Sequence, residues 1–231
     1  MSEIERIKSV YEKRKRTIID DRYSYFNIAN LYNIQQREKE ILKLLDRHRM
    51  NPLADKKILD VGCGKGGLLR SLIEYGALPQ NVYGIDLLPD RIEHARKISP
   101  NIDFRCGNAE ELPYQGETFD MVTQFTVFTS VLDHQVKEKI AREMIRVLKA
   151  EGVILWFDYH MNNPQNSDVR GVRKKEIVQL FPDCDYDFRR VTLAPPLARR
   201  IAPYSWLLCY LLAKVPLLRT HYLAVIKKKP T

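Results

Sequence analysis

The 231-residue chain is poor in cysteine and has no long hydrophobic run. Its four cysteines, at positions 63, 106, 184 and 209, show no C-x-x-C spacing, which argues against both a disulfide framework and a zinc site. No uninterrupted apolar run reaches the roughly 18 residues that would cross a bilayer, and the first residues lack the apolar core of a signal peptide. We therefore expect a cytoplasmic protein with reduced thiols and no bound metal.

Acidic side chains are scarce in the last third of the chain. Residues 163–231 carry 13 basic and 5 acidic side chains, so this segment holds +8 of the total net charge of +9. This excess fits either a solvated basic face or a surface facing phosphate. The phosphate could belong to a lipid headgroup, to a nucleotide- or lipid-linked substrate, or to nucleic acid.

A short apolar strand runs straight into a glycine-rich turn. Residues 58–67 read Ile-Leu-Asp-Val-Gly-Cys-Gly-Lys-Gly-Gly, and Asp86 closes a second apolar segment further along. Glycines let a ligand approach the backbone closely, and a carboxylate at the end of the next strand can accept hydrogen bonds from a ribose diol. This pattern predicts a site for a nucleotide-type cofactor.

The glycine spacing alone leaves the cofactor open, because Gly62, Gly64 and Gly67 also satisfy the dinucleotide pattern G-x-G-x-x-G. Asp60 separates the alternatives. An acid two residues before the first glycine would repel a pyrophosphate and suits a ligand that carries an ammonium group.

Residues 59–66 resemble the first motif of the class I S-adenosylmethionine-dependent methyltransferases. Four further segments match that superfamily in order and spacing: 82–86, 107–114, 118–122 and 146–152. The resemblance covers roughly residues 56–160 and is closest to the broad small-molecule branch. It implies S-adenosylmethionine as the cofactor.

The resemblance also implies roles for individual residues. Asp60 would hold the ammonium group, Gly62 and Gly64 would line the methionine moiety, and Asp86 would hold the ribose hydroxyls. Asn108 and the Ala109 amide would contact the adenine, and Gln124 and Phe125 would face the reactive methyl group. The full predicted cofactor set is Asp60, Gly62, Cys63, Gly64, Asp86, Leu87, Asn108, Ala109, Glu110 and Gln124. Purely structural alternatives are that Asp60 orients the turn, Asn108 is a turn residue and Cys63 is a small filler.

The candidate catalytic bases are Asp158 and His160, which follow the fifth predicted strand, with Asp133 and His134 after the fourth as alternatives. The carboxyl ends of parallel strands line the crevice of an open sheet, and a histidine can take a proton near neutral pH. The chain reads Gln-Phe-Thr-Val after the fourth strand, without the Asn-Pro-Pro-Tyr type of motif that marks methylation of base nitrogens. It also lacks metal-spaced histidines.

Alternating apolar strands and helical stretches predict an α/β fold with a doubly wound, mostly parallel, seven-stranded Rossmann-like sheet. By resemblance, an antiparallel strand lies at one edge. We expect one domain, with a helical lid (1–52), a cofactor-binding core (53–193), a helical insertion (194–220) and a final strand and tail (221–231). Strands are predicted near 57–61, 82–86, 102–106, 119–125, 152–158, 186–193 and 221–227, and helices near 35–49, 66–75, 89–98, 135–149 and 172–181.

The insertion contains an apolar run, residues 206–213, flanked by Arg199, Arg200, Lys214 and Arg219. This run is too short to span a bilayer. Two interpretations remain: a cap that walls the acceptor pocket, or an interfacial helix that makes peripheral membrane contact through residues 196–219.

The leading hypothesis is a cytoplasmic, in part membrane-associated, methyltransferase that acts at oxygen on a small-molecule or lipid- or glycan-linked acceptor. The alternatives are an RNA-modifying methyltransferase, an NAD(P)-dependent oxidoreductase and a non-enzymatic cofactor-binding protein. A nucleic-acid partner is disfavoured, because the basic residues adjoin an apolar insertion and not an aromatic-studded sheet face.

Overall fold

The structure, a computed structural model, describes residues 2–17, 23–164 and 166–229. Its helices are α1 (Glu3–Thr17), α2 (Ile28–Arg47), α3 (Gly67–Glu74), α4 (Pro89–Ile98), α5 (His134–Val147), α6 (Lys174–Leu180), α7 (Pro195–Ile201) and α8 (Trp206–Leu212). Its strands are β1 (Ile58–Val61), β2 (Val82–Asp86), β3 (Asp103–Cys106), β4 (Phe119–Phe125), β5 (Leu148–Tyr159), β6 (Cys184–Leu193) and β7 (Arg219–Lys228). Among the described residues, no helix is both long and apolar enough to cross a membrane.

The seven strands form one sheet in the order β3-β2-β1-β4-β5-β7-β6. Neighbours from β3 to β5 pair in parallel, whereas β7 is antiparallel to both β5 and β6. The predicted Rossmann-like fold with one antiparallel strand is thus confirmed. One detail differs from the expectation: β7 lies inside the sheet, and β6 is the edge strand, because the β6–β7 hairpin folds back and inserts β7 beside β5.

Helices cover both faces of the sheet, which explains why its strands are almost continuously apolar. On one face, α2, α3 and α4 pack on the sheet through buried side chains such as Leu44, Leu69 and Ile92. On the other face, α5 and α6 bury residues such as Met144 and Ile177. The strand order reverses between β1 and β4, and the crevice outside the carboxyl ends of strands at such a switch point is where open α/β sheets bind ligands.

Several element bounds differ from the predicted ones for local reasons. Helix α2 begins at Ile28, seven residues before the predicted start, because the Asn27 side chain caps it by accepting a hydrogen bond from the Asn30 amide at 3.1 Å. Strand β5 begins at Leu148, because the chain passes from α5 into the strand without a loop. Within the predicted lid and tail, residues 18–22 and 230–231 lie outside the described part of the chain.

Candidate active site

The glycine-rich turn after β1 depends on three glycines in left-handed conformation. Gly62, Gly64 and Gly66 have φ of 73°, 55° and 76°. A Cβ at Gly62 would lie 2.3 Å from Val127 Cγ2, and one at Gly66 would lie 2.7 Å from Phe104 Cζ. Gly67 has neither constraint, since a Cβ there would meet nothing within 4 Å. The positions that require glycine therefore follow G-x-G-x-G, and the match to G-x-G-x-x-G is incidental.

Asp86, the last residue of β2, fastens the turn to the next βα unit. Its Oδ2 accepts a hydrogen bond from the Gly64 amide at 2.8 Å, and its Oδ1 accepts one from the Leu88 amide at 2.9 Å. A carboxylate has about four acceptor sites, so this pairing leaves capacity for a ligand. The side chain borders a cavity beside the turn, where a ribose diol could reach it.

That cavity lies at the carboxyl ends of β1 to β4. Its walls come from the last residues of these strands and from the segments that follow them. In chain order these wall residues are Gly62, Ile85, Asp86, Leu87, Leu88, Gly107, Asn108, Ala109, Glu110, Phe125, Thr126 and Val127. Six of the ten predicted cofactor residues are in this set: Gly62, Asp86, Leu87, Asn108, Ala109 and Glu110. Val136 and Ile140 of α5 add an apolar side that would suit a nucleobase.

Asn108 and Glu110 form a small polar cluster on this wall. The Asn108 Oδ1 accepts from the Glu110 amide at 3.0 Å, and its Nδ2 donates to Glu110 Oε1 at 3.2 Å. The Glu110 carboxylate also pairs with Lys139 at 3.0 Å. Asn108 therefore shapes its own turn and also borders the cavity, and its contact with adenine stays a prediction.

The other four predicted residues, Asp60, Cys63, Gly64 and Gln124, do not border the cavity directly. Asp60 is 2 % exposed, and its Oδ1 accepts a hydrogen bond from Thr123 Oγ1 at 2.7 Å. Burial raises the pKa of Asp60 to about 7, against the lowering effect of the Thr123 hydroxyl. This geometry holds Asp60 against β4, away from the cavity, and its contact with an ammonium group stays a prediction.

Gln124 and Cys63 are structural neighbours of the same turn. Gln124 is fully buried, and its Oε1 accepts from the Val127 amide at 3.2 Å, which holds the segment after β4 against the cavity. Its Nε2 is buried without a hydrogen-bond partner among the described residues. Burial raises the pKa of the Cys63 thiol far above its usual range, so this cysteine is a neutral filler.

Helix α1 closes the cavity from outside. Ile4, Ile7 and Tyr11 line the cavity, and Arg6 Nη2 donates to the Ser130 carbonyl at 2.6 Å. Glu3 Oε1 accepts from the Leu132 amide at 2.5 Å. Burial works to raise the pKa of Glu3, but Arg6 and the backbone amides lower it below its usual range, so the carboxylate stays charged and holds the helix end.

The Tyr11 ring of α1 also lies under a cation from the core. The Arg91 guanidinium carbon, on α4, stands 4.3 Å from the centre of this ring, and both side chains border the cavity. The sequence predicts a lid but not these contact residues. Ile4, Ile7 and Tyr11 recur at helical spacing, which is the signal that marks the inner face of α1.

The predicted bases Asp158 and His160 are engaged elsewhere. Asp158 is 1 % exposed, and its carboxylate accepts hydrogen bonds from the Thr129 amide at 3.0 Å, from the Thr129 hydroxyl and from the Tyr159 amide at 2.8 Å. His160 Nε2 is hydrogen-bonded with the Arg219 carbonyl oxygen at 2.9 Å. Neither side chain borders the cavity.

Burial raises the pKa of Asp158 to about 7 although its hydrogen bonds lower it, and burial lowers the pKa of His160. The alternative candidates, Asp133 and His134, also have contacts elsewhere. Asp133 caps α5 by accepting from the amides of Gln135 and Val136, and His134 is an exposed residue beside Glu138. None of these four side chains borders the cavity.

Comparison with known proteins agrees with this arrangement of turn, carboxylate and cavity. Residues 58–152 match the family model described as a methyltransferase domain. Residues 58–152 form a methyltransferase domain of the class I S-adenosylmethionine-dependent type.

Relatives of this methyltransferase domain act on different atoms. Residues of the chain are 36 % identical over 150 positions to the ubiquinone biosynthesis O-methyltransferase of Bartonella bacilliformis, a match that covers 63 % of this chain and 57 % of that protein. They are 33 % identical over 139 positions to the norajmaline N-methyltransferase of Rauvolfia serpentina, covering 56 % and 44 %. The chain thus spans about half the length of the curated relatives it matches.

A solved structure supports the fold of the methyltransferase domain over nearly its whole length. Phosphoethanolamine N-methyltransferase 1 of Haemonchus contortus superposes with a TM-score of 0.65 over 99 % of this chain and 50 % of that one, at 16 % identity. A Methanosarcina mazei S-adenosylmethionine-dependent methyltransferase gives a TM-score of 0.58 over 80 % and 98 %, at 19 % identity. At these identities the likeness establishes the fold alone.

The cavity of the methyltransferase domain fits S-adenosylmethionine. Gly62 borders the cavity and has no side chain, so a ligand can contact its backbone. Asp86 offers a carboxylate at the cavity edge, and the side chains from α1 and α5 are apolar, as an adenine requires. Gly62 and Asp86 would hold the methionine and ribose parts of the cofactor, respectively.

Proposed function

We propose that the protein transfers a methyl group from S-adenosylmethionine to an oxygen atom of a small-molecule or lipid- or glycan-linked acceptor. The observation that carries this proposal is that the Asp86 carboxylate, held by the Gly64 and Leu88 amides, borders the same cavity as the backbone of Gly62. An O-methyltransferase among the relatives supports the choice of oxygen, and an N-methyltransferase is the specific alternative.

Bound S-adenosylmethionine would supply an electrophilic methyl group. The residues of the chain would then bind and orient. Asp86 would accept hydrogen bonds from the ribose, and α1 would exclude water through Ile4 and Ile7. Phe125 and Val127 border the cavity at the end of β4 and limit the direction from which an acceptor approaches. Since none of the predicted bases reaches the cavity, proximity and orientation would provide most of the acceleration.

The cofactor proposal is tested by titration of the protein with S-adenosylhomocysteine in a calorimeter, with NAD and NADP as matched controls. We expect binding of S-adenosylhomocysteine only. Product analysis by mass spectrometry with phenolic and amine acceptors would then separate transfer to oxygen from transfer to nitrogen. Binding of a nicotinamide dinucleotide without binding of S-adenosylhomocysteine would refute the proposal.

Peripheral membrane contact through residues 196–219 is the second part of the proposal. Helix α8 buries only Cys209, and Leu207, Leu211 and Leu217 are 69 %, 50 % and 81 % exposed. The insertion packs on α2 through a small cluster that contains Tyr32, Ala198 and Cys209, and it does not border the cofactor cavity. An exposed apolar surface beside basic residues supports the interfacial interpretation over the cap.

This contact predicts retention on vesicles. We expect vesicles with anionic lipid to retain the protein more than neutral ones, and we expect Leu207→Glu with Leu211→Glu to abolish retention. Leu78→Glu is the matched control, because Leu78 is also exposed, at 41 %, but lies outside the insertion. Equal and negligible retention on both vesicle types would rule the membrane contact out.

A further inference from the structure

Arg37 on α2 is a semi-buried cation without an ion-pair partner among the described residues. Its guanidinium carbon lies 5.7 Å from the centre of the Phe125 ring and 5.4 Å from that of the Phe157 ring. Its Nε is buried and has no hydrogen-bond partner among the described residues, and no ion pair with Arg37 forms among them. Burial lowers the pKa of Arg37, against the opposing effect of nearby Glu38. A guanidinium so placed is costly to the folded protein unless a ligand pairs with it.

A second polar group with the same property lies one helical turn away. The Oδ1 atom of Asn33 is buried without a hydrogen-bond partner in the part of the chain that the structure describes. Residues four apart share one face of a helix, so Asn33 and Arg37 point from α2 in the same direction. Two unsatisfied groups on one face of α2 can pair with the same polar ligand.

Arg37 stands beside Phe125, a residue of the cofactor cavity. Phe125 borders the cavity and stacks on Phe157, with ring centres 5.1 Å apart. His221 stacks on the other ring of this pair, 4.6 Å from Phe157. Burial and the neighbouring Arg37 lower the pKa of His221 to about 3, so at neutral pH its imidazole adds no charge. The aromatic cluster at the ends of β4 and β5 therefore presents the Arg37 cation next to the place where a methyl acceptor would arrive.

We propose that Arg37 binds an anionic group, a carboxylate or a phosphate, on the methyl acceptor. This inference rests on the proposed function, because it assigns the acceptor to the cavity side of Phe125. A guanidinium presents paired N–H donors that match both anions in a bidentate geometry, and Asn33 can add a hydrogen bond. The acceptor class is thus an anionic molecule whose charged group lies on the α2 side of the methylated atom.

The test uses the full chain saturated with S-adenosylhomocysteine, and benzoate, phenyl phosphate and neutral benzamide as probes at constant ionic strength. We expect at least one anion to bind at least tenfold more tightly than benzamide. Arg37→Gln should remove this preference, whereas Lys43→Gln should keep it, since Lys43 lies on α2 but is exposed and paired with Glu40. The relative affinity of benzoate and phenyl phosphate identifies the group as carboxylate or phosphate.

Equal binding of benzamide and both anions, or an anion preference that survives Arg37→Gln, would overturn the inference. If Arg37→Gln does not fold, Arg37→Lys decides: it keeps the charge but loses the paired donors, so an unreduced anion affinity would count against the site. Failure of the parent protein to bind S-adenosylhomocysteine refutes the proposed function, whereas normal binding of that ligand without anion preference refutes only the role of Arg37.

Discussion

The substitution Gly62→Ala should damage the protein, whereas Gly67→Ala, five residues later, should not. Gly62 combines φ of 73° with a Cβ position 2.3 Å from Val127 Cγ2. A left-handed alanine costs about 1 to 2 kcal/mol, and inserting a methyl group into a packed site costs about 1 to 3 kcal/mol. We expect Gly62→Ala to lower the free energy of unfolding by about 2 to 5 kcal/mol, the sum of these two costs.

Gly67 is the matched control, because it begins α3 and a Cβ there meets nothing. Replacing it by alanine should leave stability unchanged or raise it by about 0.4 to 1 kcal/mol. The double variant Gly62→Ala with Val127→Ala should recover the part of the loss that comes from the clash and retain the backbone strain.

Urea unfolding at 25 °C, with calorimetric titration of S-adenosylhomocysteine on each variant, measures these effects. Equal stabilities for Gly62→Ala and Gly67→Ala would refute the conformational assignment. A double variant no better than Gly62→Ala alone would refute the contact with Val127 and leave backbone strain as the sole cause.

Three further results are expected. Asp86→Ala should weaken S-adenosylhomocysteine binding at least 100-fold in a calorimeter, because it removes charge-assisted hydrogen bonds of about 1.5 to 3 kcal/mol each. Replacement of the exposed Asp90 by alanine should not weaken this binding. An unchanged affinity of Asp86→Ala would place the ribose elsewhere. Burial raises the pKa of Asp60 to about 7 in the folded protein. Above the unfolded pKa of about 4, the unfolded chain loses the Asp60 proton while the folded protein keeps it. The parent protein should therefore lose about 2 to 3 kcal/mol relative to Asp60→Asn between pH 5 and pH 7 in urea unfolding, and a pH-independent difference would contradict this. Lys137→Met should cost about 3 kcal/mol, since it leaves Glu176 without its fully buried partner at 2.6 Å, and a neutral result would show that Arg170 alone satisfies that carboxylate.

The sequence predicts the parts of the structure that depend on local pattern. Apolar strands ending in glycine or an acid locate the crevice, and Gly62, Asp86 and Asn108 all border the observed cavity. The glycine pattern itself is ambiguous between Gly66 and Gly67. The left-handed φ of Gly66 and the approach of Phe104, from β3, show that Gly66 is the constrained position. Such contacts between distant segments do not appear in the spacing of a motif.

The same limit explains why the sequence does not reveal the proposed anion site at Arg37. In the sequence Arg37 has the pattern of an ordinary charged residue of an amphipathic helix. Its burial against Phe125 and Phe157 cannot be seen there, because these residues lie roughly 90 and 120 positions away. Conversely, Asp158 and His160 satisfy the expectation for strand-end catalytic groups. In the structure Asp158 is hydrogen-bonded with Thr129 and His160 with Arg219, and no local pattern predicts these contacts.

The hairpin of β6 and β7 carries the insertion on the side of β5 away from the cofactor cavity. Paired residues run from Cys184 and Lys228 to Leu193 and Arg219, and the Ala194 amide closes the base of the insertion by donating to the Leu218 carbonyl at 2.8 Å. All strand ends that form the nucleoside cavity lie on the far side of β5 from this hairpin. An exchange of residues 195–217 for another surface element would therefore keep the strand register and the cavity walls, as long as the new element also covers Tyr32 of α2.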